Sequence, residues 1–143
     1  MPTTAPTVKV NLLTAIKARA EFATVQATHG YPGEDIETEW LMLGAIDYTD
    51  TAWAQMGNKA REEAYSITCV INIRQAGASE KEAEARAFAL YAGVEAALKA
   101  SVSPGPAGVI YAEVVPKRAF GFPYDRNGYE YQIEASLRVK ARI

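Results

Sequence analysis

The closing stretch Tyr129-Glu130-Tyr131-Gln132-Ile133-Glu134-Ala135-Ser136-Leu137-Arg138-Val139-Lys140-Ala141-Arg142-Ile143 decides how the rest of the chain is read. Tyr129, Tyr131, Ile133, Ala135, Leu137, Val139, Ala141 and Ile143 alternate without a fault with Glu130, Gln132, Glu134, Ser136, Arg138, Lys140 and Arg142. Successive side chains of a strand point to opposite faces, so this period of two predicts a strand with one apolar and one polar face. The stretch is longer than the usual strand of about five or six residues. That length predicts that part of it reaches beyond its own sheet.

The same period recurs upstream. From Glu63 to Arg74, Tyr65, Ile67, Cys69, Ile71 and Ile73 take one face, and Ser66, Thr68, Asn72 and Arg74 most of the other. Gly77 ends this strand. Ser79 with Glu82 three residues on is a capping box. It opens a helix over Glu80–Ala100, whose stripe is Ala83, Ala87, Leu90, Val94 and Ala97/Leu98. Val109–Val115 reads as a strand stopped by Pro116, and Lys117–Gly128 as a loop. Ile36–Ile46 reads as a strand with partly apolar residues on both faces, and Asp47–Arg61 as a long loop. Near the start, residues 1–6 read as a flexible arm, and Thr7 as the N-cap of a helix over Val8–Ala23. Thr24–Ala27 suits a short strand. The order predicts an α+β domain over residues 7–143: a mostly antiparallel sheet of four to five strands with two helices packed on one face.

Composition narrows the function. The 143 residues are 49% hydrophobic and 22% charged, which suits one domain with a core of its own. The net charge of −2 argues against a free-standing nucleic-acid binder. The one cysteine excludes an internal disulfide. No uncharged stretch is long enough to span a bilayer, and MPTTAPTVKV lacks the basic start and apolar run of a secretory leader. The composition fits a soluble protein of the cytosol.

Chemistry is sparse. The one histidine, His29, lies in the Gly/Pro-rich turn His29–Gly33, and no local signature supplies a nucleophile or an orienting acid. Cys69 sits on the apolar face of its strand and reads as a small core residue. Glu34, Asp35, Glu37 and Glu39 are clustered but fit no calcium loop. Met56-Gly57-Asn58-Lys59 lacks the glycines and the Ser/Thr of a phosphate loop. The reading is a protein that is not an enzyme and holds no metal or cofactor.

Two features stand out. Between Gly30 and Asn58 lie Glu34, Asp35, Glu37, Glu39, Asp47 and Asp50 with no Lys or Arg, whereas Lys117, Arg118, Arg126, Arg138, Lys140 and Arg142 outnumber the acids after Val109. A chain with an acidic and a basic region can associate head to tail; the same charges can equally be ordinary surface cancelled locally. The second feature is Lys117–Arg126, where Phe120, Phe122 and Tyr124 alternate beside Lys117, Arg118 and Arg126. This suits a protein interface first, a loop folded onto the sheet edge second, and single-stranded nucleic acid third. Trp53 and Met56, apolar in a polar segment, also suggest a contact.

The chain resembles a family through Ala27–Gly33, Glu39-Trp40-Leu41-Met42-Leu43-Gly44, Arg61-Glu62-Glu63-Ala64-Tyr65-Ser66-Ile67, Ala83–Leu90 and the ending Val139–Ile143. It is similar to the tail terminator proteins of long-tailed double-stranded DNA bacteriophages, including those of actinobacterial phages, over most of its length. The resemblance implies a sheet with two helices and a structural role in the virion. Copies would form a six-membered ring on the last ring of the tail tube, stop its growth and join the tail to the head connector. Double-stranded DNA would pass through the lumen without sequence-specific binding. Expected partners are thus further copies of the chain, the major tail tube protein and connector proteins, with no membrane. The acidic residues above would meet Arg138, Lys140 and Arg142 of a neighbour. Trp53, Met56, Lys117, Arg118, Phe120, Phe122, Tyr124 and Arg126 would touch the tube or the connector. A head-closure or tail-completion protein is the alternative, and a small ligand-binding α+β domain a more distant one.

Overall fold

The computed structural model describes residues 3–33, 38–53, 61–76, 79–101, 109–124 and 128–142. The elements in chain order are α1 (Ala5–Lys17), a 3-10 turn (Ala20–Phe22), β1 (Gln26–His29), β2 (Glu39–Trp53), β3 (Arg61–Ala76), α2 (Glu80–Ser101), β4 (Val109–Tyr124) and β5 (Gly128–Arg142). One five-stranded sheet runs in the order β1-β2-β3-β5-β4. β1 is parallel to β2, and every other neighbouring pair is antiparallel. The fold is α+β, a mostly antiparallel sheet with two helices against it, as the residue pattern predicts.

The alternating C-terminal stretch forms β5, an interior strand of the sheet. It pairs with β3 from Glu62↔Arg142 to Ala76↔Gly128, and with β4 on its other side. The strand therefore spends its length inside its own sheet, which corrects the expectation that it extends past it. Tyr65, Ile67, Cys69, Ile71 and Ile73 stand beside Tyr131, Ile133, Ala135, Leu137 and Val139 on one face, all buried. The α2 stripe Ala83, Ala87, Leu90, Val94, Ala97 and Leu98 closes onto them, and Val8, Leu12 and Ile16 of α1 complete the core. Ser79 caps α2 as its spacing demands, its Oγ accepting from the Glu82 N–H at 3.3 Å.

The two outer strands depart from expectation. β2 continues through Asp47 to Trp53 and β3 begins at Arg61, so much of the expected Asp47–Arg61 loop is a hairpin. A register shift between Leu43 and Ile46 lets Leu41, Leu43 and then Ile46 lie on the helix face. β4 runs through Pro116 to Tyr124, so the expected Lys117–Gly128 loop is largely strand as well. Pro116 is tolerated because β4 is an edge and the register shifts there, between Pro116 and Arg118. Local alternation fails at each bulge, and so the sequence pattern broke off where the strands did not.

The first helix is also displaced. It starts at Ala5, with Thr4 rather than Thr7 at its N-cap, and ends at Lys17 instead of Ala23. Pro6 fits the first turn, where its missing N–H costs nothing. The helix entry is tied to the sheet by Glu63, a buried acid on the apolar column of β3. Its Oε1 accepts from Thr3 Oγ1 at 2.9 Å, the Thr4 N–H at 2.7 Å and Thr4 Oγ1 at 2.6 Å. Tyr65 OH lies 3.1 Å from Thr4 Oγ1, and Tyr48 OH donates to Thr3 Oγ1 at 3.0 Å. A carboxylate at a helix N-terminus satisfies orphan N–H groups and complements the dipole. Farther along α1, the buried Lys9 Nζ donates to the Gly44 carbonyl at 2.5 Å, at the β2 bulge. Burial pushes the Lys9 ammonium down from its ordinary value.

Glu63→Ala should lower unfolding stability by about 2–4 kcal/mol, since three donors lose a charged acceptor. Urea unfolding checks this, and a change below about 0.5 kcal/mol would remove Glu63 as the anchor of α1. Burial, reinforced by the Glu63 carboxylate, pushes the Tyr65 phenol up to about 12. The folded state thus keeps a proton that the unfolded chain releases near pH 10. Stability contributed by Tyr65 is complete below pH 10 and is lost as pH rises toward about 12. Tyr65→Phe should flatten this alkaline loss, by on the order of 2 kcal/mol across the window; equal slopes in the two proteins would refute it.

Candidate functional site

Helices cover one face of the sheet, so chemistry directed outward must use the other face, the strand edges or the hairpin ends. On the uncovered face the register aligns a cross-sheet row: Asp47 of β2, Ser66 of β3, Arg138 of β5 and Glu113 of β4. The next row holds Ala64, Lys140 and Tyr111. The small residues Ala64 and Ser66 leave a trough of about 410 Å³, bordered by Tyr111, Arg138 and Lys140. Tyr111 is hydrogen-bonded to Glu113, which raises its phenol above the ordinary value. Of the bases expected at an interface, Arg138 and Lys140 are therefore exposed on the face of an interior strand, in the same sheet as Asp47.

Toward the other end of the same face, β4 carries Arg118, Phe120 and Phe122. Phe120 and Phe122 stack with centroids 5.9 Å apart, and the Arg118 guanidinium carbon lies 4.3 Å over the Phe120 ring. Such a cation–π contact adds about 0.5–1 kcal/mol at an exposed site. The bulge at Pro116–Arg118 is what turns these aromatics outward. Before it Ala112 and Val114 pack toward the core, and after it Ala119 and Gly121 take that face. Gly121 has no side chain for a spatial reason. A Cβ there would lie 2.9 Å from Tyr131 and 3.0 Å from Glu80 of α2.

The remaining expected residues are scattered. Glu39 is held inside the chain: Arg86 of α2 bonds it in bidentate fashion, at 2.7 Å from Nε and 3.1 Å from Nη2. The pair joins the start of β2 to α2, and the same Arg86 Nη2 donates to the Glu21 carbonyl at 3.3 Å. Asp50 and Trp53 lie on β2, Tyr124 ends β4 and Arg142 ends β5. Lys117 is exposed beside the bulge. Glu34, Asp35, Glu37, Met56 and Arg126 lie outside the described residues. The two groups of contact residues separate: Trp53 ends β2 at one end of the sheet, and Tyr124 ends β4 at the opposite end. Strands of 15 or 16 residues put about 50 Å between these ends.

Sequence reasoning passed over Glu63, Glu113, Tyr111 and Arg86. The signal for Glu63 was present, since a charged residue in phase with Tyr65 and Ile67 must be either partnered or out of register. Among the described residues no group of three or more His, Cys, Asp or Glu could hold a metal ion. Among the described residues no helix is long and apolar enough to cross a membrane.

No model of a protein family matches this sequence, and no curated protein matches it. Among solved structures, the chain is similar to a chain of the virion of a native gene transfer agent particle. The TM-score is 0.61 at 17% identity, over 99% of this chain and 100% of the other. This likeness establishes the fold across the full length.

Cys69 is buried on the core face, and burial pushes its thiol up to about 12. A thiol reagent at pH 8 should therefore leave the native protein unlabelled and modify Cys69 only on unfolding. Prompt labelling of the native protein would mean that this core face opens.

Proposed function

We propose that this chain is a structural component of a phage-like virion, and specifically a tail terminator. In this reading copies of the chain form a six-membered ring at the top of the tail tube, end its polymerisation and join the tail to the head connector. Double-stranded DNA passes through the opening without being read. The observation that carries the proposal is the full-length likeness in fold to a gene transfer agent virion chain, which agrees with the resemblance seen in the sequence. The geometry supports it in a second way. A ring that caps a tube needs two separate docking surfaces, one for the tube and one for the connector. The long strands put Trp53 at one end of the sheet and Phe122 and Tyr124 at the other. Growth then stops by shape: one surface fits the tube, and the other lacks the site that the next tube ring would use.

The role so described is one of assembly and not of turnover. Phe120 and Phe122 stand on the uncovered face, with Phe122 37% exposed, so replacing them spares the core. Phe122→Asp should leave the protein folded but yield overlong or headless tails in electron micrographs of lysates. Normal tails joined to heads would remove this hairpin from the docking surfaces. A chain that binds the portal ring and ignores tube protein would turn the assignment to a head-closure protein instead.

A further inference from the structure

We infer that copies of this chain join edge to edge, the outer strand β4 of one adding to the open half of β2 of the next, so that the sheet continues from subunit to subunit. The inference rests on the ring reading above and names the surface that makes the ring. The strand order leaves two edges. β4 has β5 on one side and, among the described residues, no strand on the other over Val109–Tyr124. β1 covers β2 only from Trp40 to Leu43; among the described residues, 44–53 have no strand on that side. Such edges present backbone N–H and C=O groups that accept a further strand.

Direction favours this contact. β2 and β5 run one way, β3 and β4 the other. A second copy set alongside in the same orientation therefore brings β4 antiparallel to the neighbouring β2. All subunits keep one polarity, and the contact is heterologous, the kind that closes into a ring.

Charge separates this arrangement from the competing two-fold one. Lys117 and Arg118 are exposed at the middle of β4. Pairing β4 with β4 about a two-fold axis would set these bases against themselves, and like charges directly opposite are destabilising. The open half of β2 instead carries Asp47 and Asp50 and no Lys or Arg. Asp47 and Arg118 are exposed and project from the same uncovered face, as a continuous sheet requires. Within one chain Asp47 is level with Arg138 of β5, and Arg118 with Glu134, four residues apart. Bringing Arg118 opposite Asp47 of the next copy thus needs a stagger of four residues over the four strand steps from β2 through β3, β5 and β4 to the next β2. That is close to the one residue per strand that accompanies a tilt of about 36° in an eight-stranded closed barrel.

A chain carrying both Asp47→Cys and Arg118→Cys tests the contact. In one chain these positions are separated by three strand spacings, about 14 Å, and by a further four residues along the strands, beyond the reach of a disulfide. The buried Cys69 does not compete. Mild oxidation of the concentrated protein should give a ladder of covalent multimers ending in a closed ring, while either single variant gives none. Absence of the ladder overturns the inference, as does a dimer from Arg118→Cys alone, which reports the two-fold edge. Micrographs of the unmodified protein separate the two levels of the argument. Rings without a ladder leave the ring reading standing and remove the edge contact; monomers at every concentration without a ladder count against both.

Discussion

The ladder between β3 and β5 runs from Glu62↔Arg142 to Ala76↔Gly128 without a register shift, and the two apolar columns on its helix face stay side by side throughout. A slip of one residue would carry a whole column, Tyr131 through Val139, onto the uncovered face. The α2 stripe Leu90, Val94 and Leu98 is buried in the same core as those columns, which favours this choice. This central register is the constraint that the rest of the structure accommodates. The bulges occur where it can tolerate them, in β2 and β4 outside the central pair.

Bulges in the outer strands are also what give the molecule its outward chemistry. The shift at Pro116–Arg118 reverses which residues of β4 face the helices. Arg118, Phe120 and Phe122 are thereby presented on the uncovered face, while Gly121 lets α2 approach the sheet. The shift after Leu43 keeps Ile46 in the core and leaves Asp47 exposed on the uncovered face. Two acids fix the helices against this frame: the buried Glu63 holds the entry to α1, and the partly buried Glu39 binds Arg86 on α2.

The function proposed here rests on the likeness in fold to a virion chain, supported by where polar and aromatic groups end up, and draws on no reactive cluster. His29 is an exposed residue at the end of β1 and Cys69 a core residue. The outward surfaces are the two edges, the trough beside Arg138 and Lys140, and the two ends of the long strands.

Strict local patterns were enough to read β5, β3, α2, the main core columns and the α+β class from the order of residues alone. Each of these buries one whole face against a single neighbour layer, so the apolar period survives uninterrupted. The extent of β2 and β4, the start of α1 and the partners of Glu63 and Glu39 could not be read that way. Those features depend on residues far apart in sequence: Thr4 meets Glu63 and Arg86 meets Glu39 only after the sheet has formed. An edge strand with a proline and a bulge looks like a loop until its ladder partner holds it in place, because backbone pairing leaves no periodic mark on the side chains that a bulge has shifted. The charged groups likewise acquired their meaning from pairing. Arg138 became part of a face and Arg118 part of an edge through strand order, which no local reading of their neighbours contains.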